Sequence, residues 1–188
     1  FRQDSDFHFL TGFSEPDAVA VLDPTSDEPF TLFVRRRDPE KEAWNGRRAG
    51  VAGAMTRFGA DAAFELDELD DWLRRRLAGR RSLAYTLGGR LDAVVIRAIR
   101  SVRAYASRSG VEMPVEMVDI SALIAELRVI KSAAEIEALR EACRISALAH
   151  SEAMRFAAPG RSERQVQAAL EYAAAVVNER EVPAARPA

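Results

Sequence analysis

Ala18-Val19-Ala20-Val21-Leu22-Asp23-Pro24, followed closely by Phe30-Thr31-Leu32-Phe33-Val34, decides the fold class. Each is a short apolar run. Asp23-Pro24 closes the first and Arg35-Arg36-Arg37 the second. Continuous apolar runs of this length suit strands buried on both faces. Residues 82–87, stopped by Gly88-Gly89, and residues 115–118, following Pro114, read as two more strands. Phe7-His8-Phe9-Leu10 reads as a strand ended by a Thr11-Gly12 turn. Between the strands, Leu66, Leu69, Trp72, Leu73 and Leu77 recur at helical spacing. Leu91, Val94, Val95, Ala98, Val102 and Tyr105 do the same. Strands alternating with helices predict an α/β layer fold.

From Ser121 the pattern is helical. Ser132 and Glu135 form a capping box ahead of a long periodic stretch. Ile136, Leu139, Cys143, Ala147, His150 and Met154 make one stripe along it. Pro159-Gly160 ends that helix. Ser162 and Gln165 open another, carrying Val166, Ala169, Leu170 and Ala173. Two helices with one stripe each need a partner layer. The organisation predicted is a first domain over residues 1–120, a helical start of a second over 121–178, and a disordered Pro/Ala tail over 179–188.

Composition narrows the function. Of 188 residues, 48% are hydrophobic and 30% charged, as in a globular chain. Lys+Arg 27 against Asp+Glu 29 leaves a net charge of −2, which argues against a nucleic-acid partner. No apolar run is long enough for a transmembrane helix, so no membrane partner is expected. No signal peptide is visible, and the expected location is cytoplasmic. A single cysteine, Cys143, excludes an intrachain disulfide framework and a zinc ribbon. The two histidines, His8 and His150, form no H-E-x-x-H pattern.

Most chemically suggestive residues have a structural reading. His150, on the apolar stripe, is expected to be packed and hydrogen-bonded. His8 is expected on one strand face with Asp6 and Leu10. Asp4 and Asp6 are expected on one strand face, hydrogen-bonding at a turn. Cys143 is expected to be a small buried apolar group. Arg35-Arg36-Arg37, Arg74-Arg75-Arg76, Arg97 and Arg100 are interleaved with acids and read as paired, solvated faces. Gly88-Gly89-Arg90 reads as a strand-to-helix turn. Trp44 stands apart. It follows a short charged helix, and Glu40, Lys41, Arg47 and Arg48 occupy the positions where a core tryptophan would have apolar neighbours. An interface residue and a ring folded onto its own domain both remain open.

Phe1-Arg2-Gln3-Asp4-Ser5-Asp6-Phe7-His8-Phe9-Leu10-Thr11-Gly12-Phe13, then Glu15-Pro16-Asp17-Ala18, resembles the amino-terminal domain of bacterial Xaa-Pro aminopeptidases. Trp44-Asn45-Gly46-Arg47-Arg48 resembles that family's Trp-x-Gly-x-Arg neighbourhood. Residues 127–136 are similar to the start of its catalytic domain, and the likeness continues to about Tyr172. The resemblance implies a creatinase-type amino-terminal domain, a mixed sheet flanked by helices, followed by the first helices of an incomplete "pita-bread" catalytic domain. It implies hydrolysis of peptides with proline at the second position, two divalent ions, usually manganese, and a homo-oligomer. It also implies that Trp44 reaches a neighbouring subunit's substrate pocket. The family's ligands are two aspartates, a histidine and two glutamates; no residue here matches them, so no catalytic or metal-binding residue is assigned. The expectation is an amino-terminal fragment, inactive alone, that binds no metal. The alternative is a non-catalytic assembly or binding module. The Arg2-to-Phe7 motif argues against prolidase and creatinase.

Overall fold

The computed structural model describes residues 1–181 (side chains of Asn45 and 177–181 excepted) and divides into two units, Phe1–Ala125 and Glu126–Ala188. In the first unit, β1 (Val19–Leu22), β2 (Phe30–Val34) and β3 (Ala62–Glu65) form one sheet in that order. β1 pairs antiparallel with β2, and β2 pairs parallel with β3, so the sheet is mixed. The parallel pair needs a crossover, supplied by α2 (Pro39–Asn45) and α3 (Gly50–Phe58). A second sheet pairs β4 (Ser82–Tyr85) parallel with β5 (Glu116–Asp119), connected through α5 (Asp92–Ser109).

Alternation along β2 divides the core. Phe30, Leu32 and Val34 join Ala18, Ala20 and Ala63 on one face, under Ala54 and Phe58 of α3. Phe33 faces the other way with Val19, Val21 and Phe64. There it meets Leu69 and Trp72 of α4 (Leu69–Leu77). Phe33 has its ring centroid 5.6 Å from Phe64 and 5.2 Å from Trp72. Trp72, Leu91 and Val94 also belong to the cluster that α4, α5, Leu83 and Tyr85 form over the second sheet. Asp23 ties the end of β1 to this layer, 3.1 Å from Arg76 and 2.6 Å from Arg80. The Thr25 hydroxyl donates to Asp23, and this bond more than any other holds the Asp23 carboxyl below its usual pKa.

Three sequence expectations need correcting. Residues 7–10 are not a strand but part of a helix, α1 (Ser5–Thr11). The Asp4 carboxylate accepts from the backbone N–H groups of Asp6 and Phe7 at 3.0 and 2.9 Å, and left-handed Gly12 (φ 65°) closes the other end. These caps override the strand preference of the aromatic residues. The grouping of His8, Asp6 and Leu10 on one strand face falls with the strand. β3 went unpredicted because Ala62-Ala63-Phe64-Glu65 contains a single strong strand former. Its small side chains leave room for the α3 layer, and pairing with β2 holds it. β4 and β5 are not buried on both faces. Leu83 and Tyr85 face the helices, while Met117 and Val118 of β5 lie about half exposed. Among the described residues, helices cover that sheet on one side only.

The second unit holds α7 (Ala133–Phe156) and α8 (Glu163–Glu181), packed against each other. The short helix α6 (Ser121–Leu127) precedes them. The Ser132–Glu135 capping box is formed, with Ser132 N–H donating to Glu135 at 2.9 Å. Gln165 accepts from Ser162 N–H at 2.9 Å. α8 runs through residues 179–181 of the expected tail; residues 182–188 of that tail lie outside the described residues.

Candidate functional site: a clamped loop carrying Trp44

The loop begins at α2. Asp38 caps it, accepting from the N–H groups of Glu40 and Lys41, and Pro39 sits at its first turn. The Lys41 ammonium, 3.0 Å away, is the leading cause of a lowered Asp38 pKa. Trp44 lies in the last turn with its ring 90% exposed. It is therefore not folded onto its own domain. Its environment is the solvated one that Glu40, Lys41, Arg47 and Arg48 predict.

Two residues before Trp44 in the chain is a tight tie. Arg37 Nε and Nη2 donate to the two Glu42 oxygens at 2.8 and 2.9 Å. Such bidentate charge-assisted pairs fix orientation as well as distance. The backbone N–H of Arg48 donates to Glu42 Oε1 at 3.1 Å. One carboxylate thus closes the chain from residue 42 to residue 48. The Glu42 side chain is only 10% exposed. The Arg37 hydrogen bonds, then that from Arg48, lower its pKa to about 2.

The far end of the loop is tied to the amino terminus. α3 has no cap of its own at Ala49. The Glu15 carboxylate serves instead, accepting from Ala49 N–H at 2.7 Å. The Glu15 carbonyl accepts from Gln3 Nε2 at 2.6 Å, and Gln3 Oε1 accepts from Asp4 N–H at 2.9 Å. Gln3 and Asp4 therefore do structural work: Gln3 braces the loop's exit and Asp4 starts α1. Gly50 is required where the two ends meet. It has φ 59°, and a Cβ there would sit 2.6 Å from Arg37 Cγ.

The other candidates do not converge on this loop. His8 is exposed on α1. His150 is exposed rather than packed, although its Nδ1 lies 2.8 Å from the Ser146 carbonyl oxygen. Cys143 is exposed, not buried. Both corrections share one cause. The predicted stripe on α7 lies at the surface, and α7 buries Ala149 and Ala153 instead. The arginine clusters are paired largely with distant acids: Arg35 with Asp17, Arg36 with Glu65 at 3.5 Å, and Arg97 with Asp70 at 2.8 Å. Gly88-Gly89-Arg90 leads towards α5, and Arg90 donates to the Ala18 carbonyl at 2.6 Å. Among the described residues, no three His, Cys, Asp or Glu side chains converge as a cation cage. The described residues therefore do not fit a two-ion centre. Sequence reading singled out Trp44 but missed Arg37, Glu42, Glu15 and Gly50. Their spacings, such as 37 to 42, follow neither helix nor strand period.

Residues 1–85 match the family described as "Aminopeptidase P, N-terminal domain". The Xaa-Pro aminopeptidase of Escherichia coli (strain K12) is 35% identical over 92% of this chain and 40% of that protein. Human Xaa-Pro aminopeptidase 3 is 32% identical over 82% of this chain and 31% of that protein. The structure of Pseudomonas aeruginosa aminopeptidase PepP matches with TM-score 0.87 and 41% identity, over 92% of this chain and 40% of that one. Zinc-substituted E. coli aminopeptidase P in complex with product matches with TM-score 0.86 and 34% identity, over 96% of this chain and 41% of that one. The chain thus spans between about a third and two-fifths of these relatives' length. The chain belongs to the aminopeptidase P family, and residues 1–85 match that family's N-terminal domain.

Proposed function

We propose that the open reading frame encoding this chain specifies a cytoplasmic, homo-oligomeric Xaa-Pro aminopeptidase. Residues 1–120 are its amino-terminal domain and residues 121–178 begin its catalytic domain. Its substrates are peptides with proline at the second position. Two divalent ions, manganese, would polarise the scissile carbonyl and activate water, held by residues that this chain does not supply. The contribution of residues 1–188 is then positional. The observation that carries this reading is Trp44, a large apolar ring left 90% exposed on a loop tied at both ends. A ring so placed gains most when a partner surface covers it, and central interface tryptophans typically contribute about 2 kcal/mol or more to binding. The partner surface proposed is the substrate pocket of a neighbouring subunit.

The test uses the protein made from the whole open reading frame. It is expected to release the first residue from an Xaa-Pro peptide when manganese is present. Residues 1–188 alone are expected to release none. Trp44→Ala is expected to raise KM or weaken assembly without lowering the melting temperature of residues 1–188. Inactivity of the whole product with manganese would overturn the reading, as would turnover by residues 1–188. A large fall in melting temperature with unchanged kinetics and assembly would return Trp44 to a purely structural role.

A further inference from the structure

We infer that Glu42 is the positioning residue that holds Trp44 in its outward presentation, acting as a latch between Arg37 and the Arg48 backbone. The inference deepens, and rests on, the reading of Trp44 as a contact residue.

The geometry is that of a closed ring of chain. Glu42 lies two residues before Trp44, and the N–H it holds, that of Arg48, lies four residues after it. Everything between them, including Gly46 with φ 77° and ψ 163°, spans that one carboxylate. Without the latch, the last turn of α2 would run straight into Gly46-Arg47-Arg48, a short polar stretch free to sample many backbone states. The exposed ring would then have to be ordered on each binding event, and that entropy is subtracted from affinity. With the latch the cost is met during folding. Arg37 is itself confined. It lies three residues past the end of β2, and its side-chain carbons fill the space that a Cβ at Gly50 would need. The latch therefore runs from the central strand of the sheet, through Arg37 and Glu42, to the loop. The low Glu42 pKa agrees with a carboxylate whose charged form is held from two sides.

Two alternative roles for Glu42 fit less well. As a simple helix ion pair it would face a partner three or four residues away, whereas Arg37 is five away and outside α2. As a recognition carboxylate it would be open to solvent, whereas it is largely covered.

The test has two parts, both with Glu42→Ala and Glu42→Gln. The first uses residues 1–188 and reads amide hydrogen exchange at Arg48, with exchange of the β2 amides as the control for folding. Glu42→Ala is expected to speed Arg48 exchange at least tenfold while β2 exchange is unchanged. Glu42→Gln keeps an acceptor for the Arg48 N–H and is expected to restore most of the protection. The second part uses the product of the whole reading frame. There Glu42→Ala is expected to reproduce the KM rise of Trp44→Ala with little change in kcat, and Glu42→Gln to recover most of it. Unchanged Arg48 exchange in Glu42→Ala overturns the latch. Faster exchange with a KM unlike that of Trp44→Ala overturns the positioning role. If Arg48 exchange responds as expected but Trp44→Ala itself leaves kinetics and assembly untouched, the latch stands and the contact reading of Trp44 fails.

Discussion

The two units bury their apolar residues in different ways. In the first, a sheet takes large side chains out of water on both faces: Phe33 and Leu32 are fully buried and point in opposite directions. In the second, the residues that α7 buries are alanines, Ala149 and Ala153. Leu139 and Met154 remain 52% and 71% exposed. The difference lies in contact geometry. A central strand offers two faces to neighbouring layers, whereas a helix packed on one other helix offers a single strip. Small residues let that strip close tightly, and the larger residues stay outside it. An amphipathic pattern therefore shows that a helix can take a partner; it does not say which of its faces is covered.

The hardest test of this contrast is Phe33→Ala. It removes a ring in contact with Phe64 and Trp72. Truncating a buried phenylalanine costs about 3–5 kcal/mol. Urea unfolding followed by Trp72 fluorescence should report that loss, while α7 and α8 keep their helical circular dichroism signal. Simultaneous loss of both would show that the units do not unfold separately.

Asp4→Ala is the next largest. Deleting an N-cap costs about 1 kcal/mol, and α1 starts on the Asp4 carboxylate. Chemical denaturation should show this decrease confined to the first unit. A neutral result would mean that packing of Phe7 and Phe13, rather than the cap, holds α1.

Acid should sharpen the contrast at one place. The Glu42 pKa is depressed from 4.5 to about 2, so the unfolded state takes up the proton first. The stability it lends is fully present above pH 4.5 and is lost as pH falls towards 2. Arg37 and Arg47 are the charged groups that favour its ionised form. Arg48 amide exchange, corrected for its intrinsic pH dependence, should rise across that window only to the level of Glu42→Gln at neutral pH, since the protonated carboxyl keeps a carbonyl acceptor for that N–H, and should do so before the α7 amides respond. Protection that is flat from pH 5 to pH 2 would remove the proton linkage from the latch.

The smallest effect is expected at Leu139→Gln. An exposed position away from caps and cores usually shifts stability by less than about 0.5 kcal/mol. Self-association of residues 1–188 should fall, because an open apolar stripe favours adventitious contact. A loss comparable to that from Leu73→Gln, in the buried layer of α4, would show that the stripe is covered.

Local chemistry was legible in the sequence. The Ala18-to-Leu22 and Phe30-to-Val34 runs declared two strands, and Ser132 with Glu135 declared the start of α7. The family likeness was legible as well, because short motifs survive as residue order. Trp44 could be picked out because its neighbours in sequence are charged. What surrounds it could not. Arg37, Glu42, Arg48, Glu15 and Gln3 are brought together by the crossover from β2 to α3 and by the amino-terminal segment, and no local period relates them. Tertiary structure also decided β3 and the buried side of α7, while α1 was decided by the Asp4 and Gly12 caps at its own ends. Each depends on free energy set by neighbours distant in sequence or by competing end caps. Periodicity reports the preference of a segment for a face; only the packed chain determines what fills the space against it.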